Sequence, residues 1–356
     1  MTKRKIFYLI LTVGVLIILA TVFFILKTPI KSFLQNTSQL SPPAPPPSSG
    51  QSPGTPQPEI GSPKGIYLLL RPGQSAELIN NILSQPFVDG AVVGGAWNEL
   101  EPSEGQYNWA PLDTYIDMVK AKGKKFSLVL FPGRYTPDWV YAEGVKKWNW
   151  VDHKGQNVTY PNPTDPKFYE FWKDFVRAAG NRYDKDSSLF LVKICGGTGA
   201  LCGLRFYELP PDWDANAVVN YWEPLVDTYV QAFPSMNFDF EIHTTVGQGT
   251  NLSEQMVSYN FSKYGSKIGL FQDFLSSTAP TGNLFDFIKN WGPKSSKTWC
   301  GFQQNHAQGT VSALDQSYSR GFNDLGCLYY EIYQTDLKDP SLASVNQKWH
   351  DLIWGE

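Results

Sequence analysis

The sequence predicts an α/β fold: a (β/α)8 TIM barrel, preceded by one transmembrane helix and a Pro-rich linker. Three observations carry this prediction. Past Lys64, eight short apolar runs alternate with stretches of helical spacing. Residues 65–356 suffice for a barrel, which typically takes ~250. No Gly-x-Gly-x-x-Gly follows the first run, as a doubly wound dinucleotide-binding sheet would have it.

At the amino terminus, Ile6 to Leu26 is an uncharged, mainly apolar run of 21 residues. That length crosses ~30 Å of hydrocarbon as a helix. Lys3, Arg4 and Lys5 precede it and Lys27 and Lys31 follow, a bias that places the amino terminus in the cytoplasm. A cleaved signal peptide is the rival reading, but the run ends Phe23-Phe24-Ile25-Leu26-Lys27 without a small-residue cleavage site. Residues 1–27 therefore read as a cytoplasmic stub and anchor, with the body at the cell surface.

Residues 28–64 read as a Pro/Ser-rich linker. From Ser41 to Pro63 the proline density holds the backbone extended and removes donors, so no core forms there. Residues 65–356 make up the barrel domain. The 356-residue chain is 42% hydrophobic and 15% aromatic, which excludes disorder for this body. Residues 1–64 carry a net charge of +5, which leaves −8 on the rest of a chain of net −3. An acidic body lacks the basic footprint of phosphate-backbone binding, so nucleic acid is not an expected partner.

The eight predicted strands are Ile66–Leu70, Ala91–Gly95, Phe126–Phe131, Leu189–Cys195, Phe238–His243, Lys267–Phe271, Thr298–Phe302 and Cys327–Ile332. Helical stripes fall between them. Leu112, Tyr115, Ile116 and Val119 form one, and Phe168, Phe171, Trp172, Phe175, Val176 and Ala179 another. Val218, Trp222, Leu225, Val226, Tyr229 and Val230 form a third, and Val345, Trp349, Leu352 and Ile353 the last. Cys195, Cys202, Cys300 and Cys327 contain no Cys-x-x-Cys. Outside the membrane they pair as 195–202 and 300–327, or they stay as buried free thiols.

Barrel strands turn apolar residues toward the helices and polar ones inward. In Phe238-Asp239-Phe240-Glu241-Ile242-His243 this rule points Asp239, Glu241 and His243 into the barrel. It turns Leu328, Tyr330 and Ile332 outward and Glu331 inward, and it puts Lys193 inside with Cys195. A buried lysine needs an acid, so Lys193 and Asp239 read as an internal ion pair. Glu241 and Glu331 lie nearer the carboxyl ends, where barrel active sites sit.

The segment Trp97-Asn98-Glu99-Leu100-Glu101-Pro102-Ser103-Glu104-Gly105-Gln106-Tyr107-Asn108-Trp109 follows the second strand. A helix with Leu112 and Asp113, Gly123-Lys124-Lys125 and Pro137-Asp138-Trp139 come after it. From Ala91 to Trp139 this resembles the retaining (β/α)8 glycoside hydrolase clan, particularly its β-galactosidase-like members. The motif shapes the second loop more than it performs chemistry. The resemblance implies an acid/base Glu in an Asn-Glu pair after strand four and a nucleophilic Glu ending strand seven. This chain departs from both. Strand four runs into Gly196-Gly197-Thr198-Gly199, and strand seven ends in Gln303-Gln304.

The next acid after strand four is Glu208, in Tyr207-Glu208-Leu209-Pro210, in the loop where that clan keeps its acid/base. Beside Tyr207 and a partly apolar pocket it is the expected proton donor. Glu331 is the expected ionised partner across the barrel, with Glu241 the substitute if Glu331 lies too deep. Candidate sugar contacts are Trp97, Glu99, Trp139, Trp148, His243, Trp299 and Tyr329, because aromatic faces cover sugar rings and polar groups meet hydroxyls.

Asp212, Asp214, Asn216 and Glu223 match calcium-loop spacing, but Ala217 stands where glycine is needed, and helix capping is the better account. His153, His243, His306 and His350 lack paired ligand spacing, so no metal and no cofactor is expected. Two functions compete. One is a membrane-anchored extracellular glycoside hydrolase acting on a poly- or oligosaccharide by a two-carboxylate mechanism. The other is a tethered carbohydrate-binding barrel that has lost catalysis.

Overall fold

The computed structural model describes residues 61–71, 73–151, 155–197 and 202–355. The proposed anchor Ile6–Leu26, the linker up to residue 60, His153 and Thr198-Gly199 lie outside the described residues. Among the described residues, no helix is long and apolar enough to cross a membrane.

The elements run β1 (Gly65–Leu69), α1 (Ala76–Leu83), β2 (Gly90–Ala96), α2 (Trp97–Leu100), α3 (Ala110–Ala121), β3 (Lys125–Phe131) and α4 (Asp138–Ala142). A hairpin of β4 (Lys147–Val151) and β5 (Asn157–Pro161) follows, then α5 (Pro166–Tyr183), β6 (Leu189–Ile194), α6 (Ala215–Ala232), β7 (Asn237–Glu241) and α7 (Asn251–Tyr264). The chain ends with β8 (Ile268–Leu275), α8 (Gly282–Trp291), β9 (Cys300–Gln304), α9 (Val311–Ser319), β10 (Tyr329–Ile332), α10 (Gln334–Lys338) and α11 (Ala343–Trp354).

Eight parallel strands close in the order β1-β10-β9-β8-β7-β6-β3-β2. This is the (β/α)8 barrel that the alternation of strand and helix predicts, and every predicted strand is present. The helices form because their apolar stripes face the barrel. Phe168, Trp172, Phe175 and Val176 of α5 are buried, as are Val218, Trp222, Leu225 and Val226 of α6. Asp165 and Asp214 cap these two helices by accepting backbone N–H bonds, so Asp214 is a capping residue as expected.

The inside-outside alternation also holds. Phe240 meets Trp222 of α6 edge-on, and Tyr330 meets Tyr318 of α9. A separate apolar cluster of Tyr67, Leu69, Val92, Val129, Leu191, Phe271 and Tyr329 fills the barrel interior. Residues Cys195–Cys202 and Cys300–Cys327 are disulfide-bonded, the paired alternative.

Two features differ from the expected layout. The hairpin was not foreseen, although Lys147-Trp148-Asn149-Trp150-Val151 alternates exposed and buried side chains. Gly61–Lys64, within the expected linker, already touch the barrel. Asn237 Nδ2 donates to the Gly61 carbonyl at 2.9 Å, and the Lys64 ammonium sits 4.1 Å from the centre of the Trp354 ring.

Candidate active site

Glu241 is the last residue of β7, and His243 follows two positions on, with Phe240 and Ile242 turned to the helices. The neighbouring strand β8 supplies Asp273. One extra residue on β8, between Gln272 opposite Phe302 and Leu275 opposite Gln304, forms a bulge there. Bulges of this kind re-aim side chains beside active sites. The loop after β6 supplies Arg205. Its path is set by the Cys195–Cys202 disulfide and by Gly203, which adopts φ +87°. A Cβ at Gly203 would lie 2.3 Å from the Glu241 carbonyl oxygen, so only glycine allows this approach.

These four side chains form one hydrogen-bonded cluster at the carboxyl ends of the strands. Arg205 Nε and Nη2 lie 3.1 and 2.8 Å from His243 Nδ1, and Nη2 donates to Asp273 Oδ1 at 2.6 Å. His243 Nε2 lies 2.6 Å from Glu241 Oε1 and 3.8 Å from Asp273 Oδ1. The cluster is nearly enclosed: Glu241 is 4% exposed and Asp273 7%.

Burial pushes the Glu241 carboxyl up to about 7, offset in part by the charges of Arg205 and Lys193 and reinforced by Glu331. Burial and then Arg205 hold His243 down at about 3, so the imidazole is neutral. Asp273 is also raised by burial and by Glu241, while its direct bond to Arg205 opposes the rise. Of these two carboxyls only Asp273 is bonded directly to a cation, an asymmetry of the kind acid–base chemistry uses.

Glu241, His243 and Asp273 offer ligand atoms within 4.8 Å of one another. Arg205 already supplies the positive charge at that spot, bonded to two of the three. The set therefore fits an acid–base cluster better than a cation site.

A second buried network lies within the barrel. Lys193 Nζ is 2.6 Å from Asp239 Oδ2 and 2.7 Å from Glu331 Oε1. This is the expected internal ion pair, with Glu331 added. Glu331 is 0% exposed and also accepts from the Tyr329 hydroxyl at 2.8 Å. Its place is therefore in the packed interior, engaged by Lys193 and Tyr329, where an ionised catalytic partner was expected to face the sugar. Tyr329, expected as a sugar contact, is fully buried and bonded to Ser127 as well.

The remaining predicted residues scatter. Glu208 is exposed, not in an apolar pocket; it lines a groove with Asn149, Trp150, Asn157 and Thr159 of the hairpin. Glu99 is exposed on α2. Trp97 is wholly buried, donates from Nε1 to Glu101 at 2.7 Å and meets Trp172 edge-on. Trp139 donates to the Glu101 carbonyl at 3.0 Å and is half-buried against Trp97. Trp148 is buried, stacked on Trp150 and tilted against Phe206.

Trp299 precedes β9 and packs on Gly269 and Tyr329 at the amino ends of the strands, the opposite mouth. These placements make Trp97 and Trp299 framework residues, because their rings fill the core instead of a rim. Glu101 accepts from both Trp97 and the Gly105 amide, so the motif after strand two is scaffold, as expected.

Of the cluster, sequence reasoning named Glu241 and His243 and missed Arg205 and Asp273. Asp273 shares the inward parity of Phe271, so extending the alternation two residues past the predicted strand end would have found it. Arg205 follows an irregular loop without any period.

The sequence pattern of the β-galactosidase family matches residues 88–199, which span β2 to just beyond β6. No curated protein sequence matches the chain significantly. Among solved structures, the catalytic domain of β-amylase from Paenibacillus polymyxa aligns with a TM-score of 0.58 at 9% identity. The alignment covers 80% of this chain and 97% of that one. Xylanase B from Clostridium stercorarium F9 aligns with a TM-score of 0.47 at 15% identity, covering 76% and 85%. The β-amylase likeness supports the barrel fold. The family match supports the resemblance to β-galactosidase-like (β/α)8 glycoside hydrolases over the second to fourth barrel strands.

Proposed function

We propose that the protein is a membrane-anchored, extracellular glycoside hydrolase in which Glu241 donates the proton and Asp273 is the ionised carboxylate. One observation carries the proposal: two buried carboxyls, one pushed up to about 7 and the other bonded to Arg205, stand side by side at the carboxyl ends of β7 and β8, with ligand atoms within 4.8 Å. Glu208 and the aromatic hairpin beside it serve as rim contacts for the sugar. The uncharged run Ile6–Leu26 supports the anchor, and two disulfides in the body support an oxidising compartment.

The test is hydrolysis of a broad set of oligo- and polysaccharides by the full chain. Glu241→Gln and Asp273→Asn should each lower kcat by about 10²- to 10⁴-fold. If both variants cleave as fast as the parent, the pair is wrong.

One observation favours the second reading, a carbohydrate-binding barrel without catalysis. Neither Gly196-Gly197 after strand four nor Gln303-Gln304 on strand seven provides an acid where the resemblance places one. Saturable oligosaccharide binding with no cleavage of any substrate would establish that reading instead.

A further inference from the structure

We propose that Arg205 is a positioning residue that locks His243 in its Nε2–H tautomer. By doing so it commits Glu241 Oε1 to accepting from the imidazole, in a carboxyl that also accepts from the Cys202 backbone N–H. The proposal deepens the reading of Glu241 as proton donor and rests on it for the use of that proton. It does not rest on that reading for the tautomer itself.

A guanidinium only donates. Arg205 turns both Nε and Nη2 toward His243 Nδ1, at 3.1 and 2.8 Å, so Nδ1 presents its lone pair. A neutral imidazole has one N–H, which then sits on Nε2 and points to Glu241 Oε1 at 2.6 Å. The ring cannot swing away easily, because its backbone is pinned on both sides. His243 N–H donates to Ser253 Oγ at 3.1 Å, and that hydroxyl donates to the His243 carbonyl at 2.8 Å. Arg205 is held in turn by Asp273 and lies 5.1 Å from the centre of the Phe274 ring.

The chain of donors runs one way, from arginine through histidine to the carboxyl. Bonds of this type orient a catalytic group without touching substrate. The charged groups around Glu241 are Arg205 from the loop after β6, Lys193 on β6, Asp239 on its own strand, Asp273 on β8 and Glu331 on β10. None of them but Arg205 reaches His243 Nδ1 among the described residues.

The experiment is a long-range ¹H–¹⁵N correlation on the full chain, labelled with ¹⁵N-histidine and held in detergent micelles at pH 7. One neutral imidazole should show an unprotonated Nδ1 and a protonated Nε2, and His243→Gln should remove that signal. Arg205→Met should give a mixture of tautomers, and Arg205→Lys should restore the single form in part. In the kcat/KM pH profile, the limb assigned to Glu241 should move in Arg205→Met and return toward the parent in Arg205→Lys. A parent His243 protonated at Nδ1, or an Arg205→Met variant that keeps the pure Nε2–H form, overturns the proposal. A parent with the single tautomer but no glycoside cleavage overturns the hydrolase reading and leaves the tautomer assignment standing.

Discussion

Lys193 reaches Glu331 across the barrel interior, its Nζ 2.7 Å from Oε1, while the same ammonium lies 2.6 Å from Asp239 Oδ2 and 3.2 Å from the centre of the Phe271 ring. One buried cation thus serves two buried carboxyls, and among the described residues Glu331 Oε2 has no hydrogen-bond partner. Removing the lysine leaves both acids without compensation. Lys193→Met should cost about 3–5 kcal/mol in urea unfolding. Adding Glu331→Gln to it should recover part of the loss. A Lys193→Met variant as stable as the parent would show that the network holds nothing together.

The pH dependence of stability should report Glu241. Its folded carboxyl is pushed up by burial to about 7 from an ordinary 4.5. The native state therefore holds a proton that the unfolded chain releases. That contribution is fully present below about pH 4.5 and is lost as pH rises through about 7. Gln carries no charge at any of these values. The stability of Glu241→Gln relative to the parent should therefore rise between pH 4.5 and 8, by an amount on the order of a few kcal/mol. A flat difference across that range would remove Glu241 from the titrating cluster.

The two disulfides should differ in weight. Cys195 and Cys202 are 7 residues apart, whereas Cys300 and Cys327 are 27 apart and tie the start of β9 to the residues before β10. Loop-closure entropy assigns about 2–3 kcal/mol to the shorter link and about 3–4 to the longer. Replacing each pair by serine and measuring unfolding in denaturant checks the order. Loss of the shorter link should also reduce turnover, because that loop carries Arg205. Turnover unchanged in the Cys195→Ser, Cys202→Ser variant would separate the loop from the site.

Truncation before Gly61 should give a soluble protein with one cooperative thermal transition, since the described contacts with the barrel begin there. The full chain should stay with membranes through high salt and alkaline carbonate, as a spanning helix does and a surface-bound protein does not. Release by carbonate would overturn the anchor reading of Ile6–Leu26, and a molten truncation would overturn the domain boundary.

Much of the fold was legible because strand and helix periods are local. Alternating residues in Phe238–His243 told inside from outside correctly for Asp239, Glu241 and His243. The same rule placed Glu331 inside but could not tell how deep. Depth along a barrel depends on strand tilt and stagger, which are set between strands rather than along one. Trp97 stood in a predicted loop, and only the packed structure shows its indole turned inward to Glu101 and Trp172.

By itself, then, the sequence determined the eight strands, the faces of the helices and the inward side of Glu241 and His243. Each follows from the chemistry of residues within a few positions of one another. The tertiary structure alone decided that Lys193 pairs with Glu331, that Asp273 stands beside Glu241, and that a disulfide-closed loop delivers Arg205 to His243. Those partners lie up to 138 residues apart, and burial decides their charge only once every strand around them is in place.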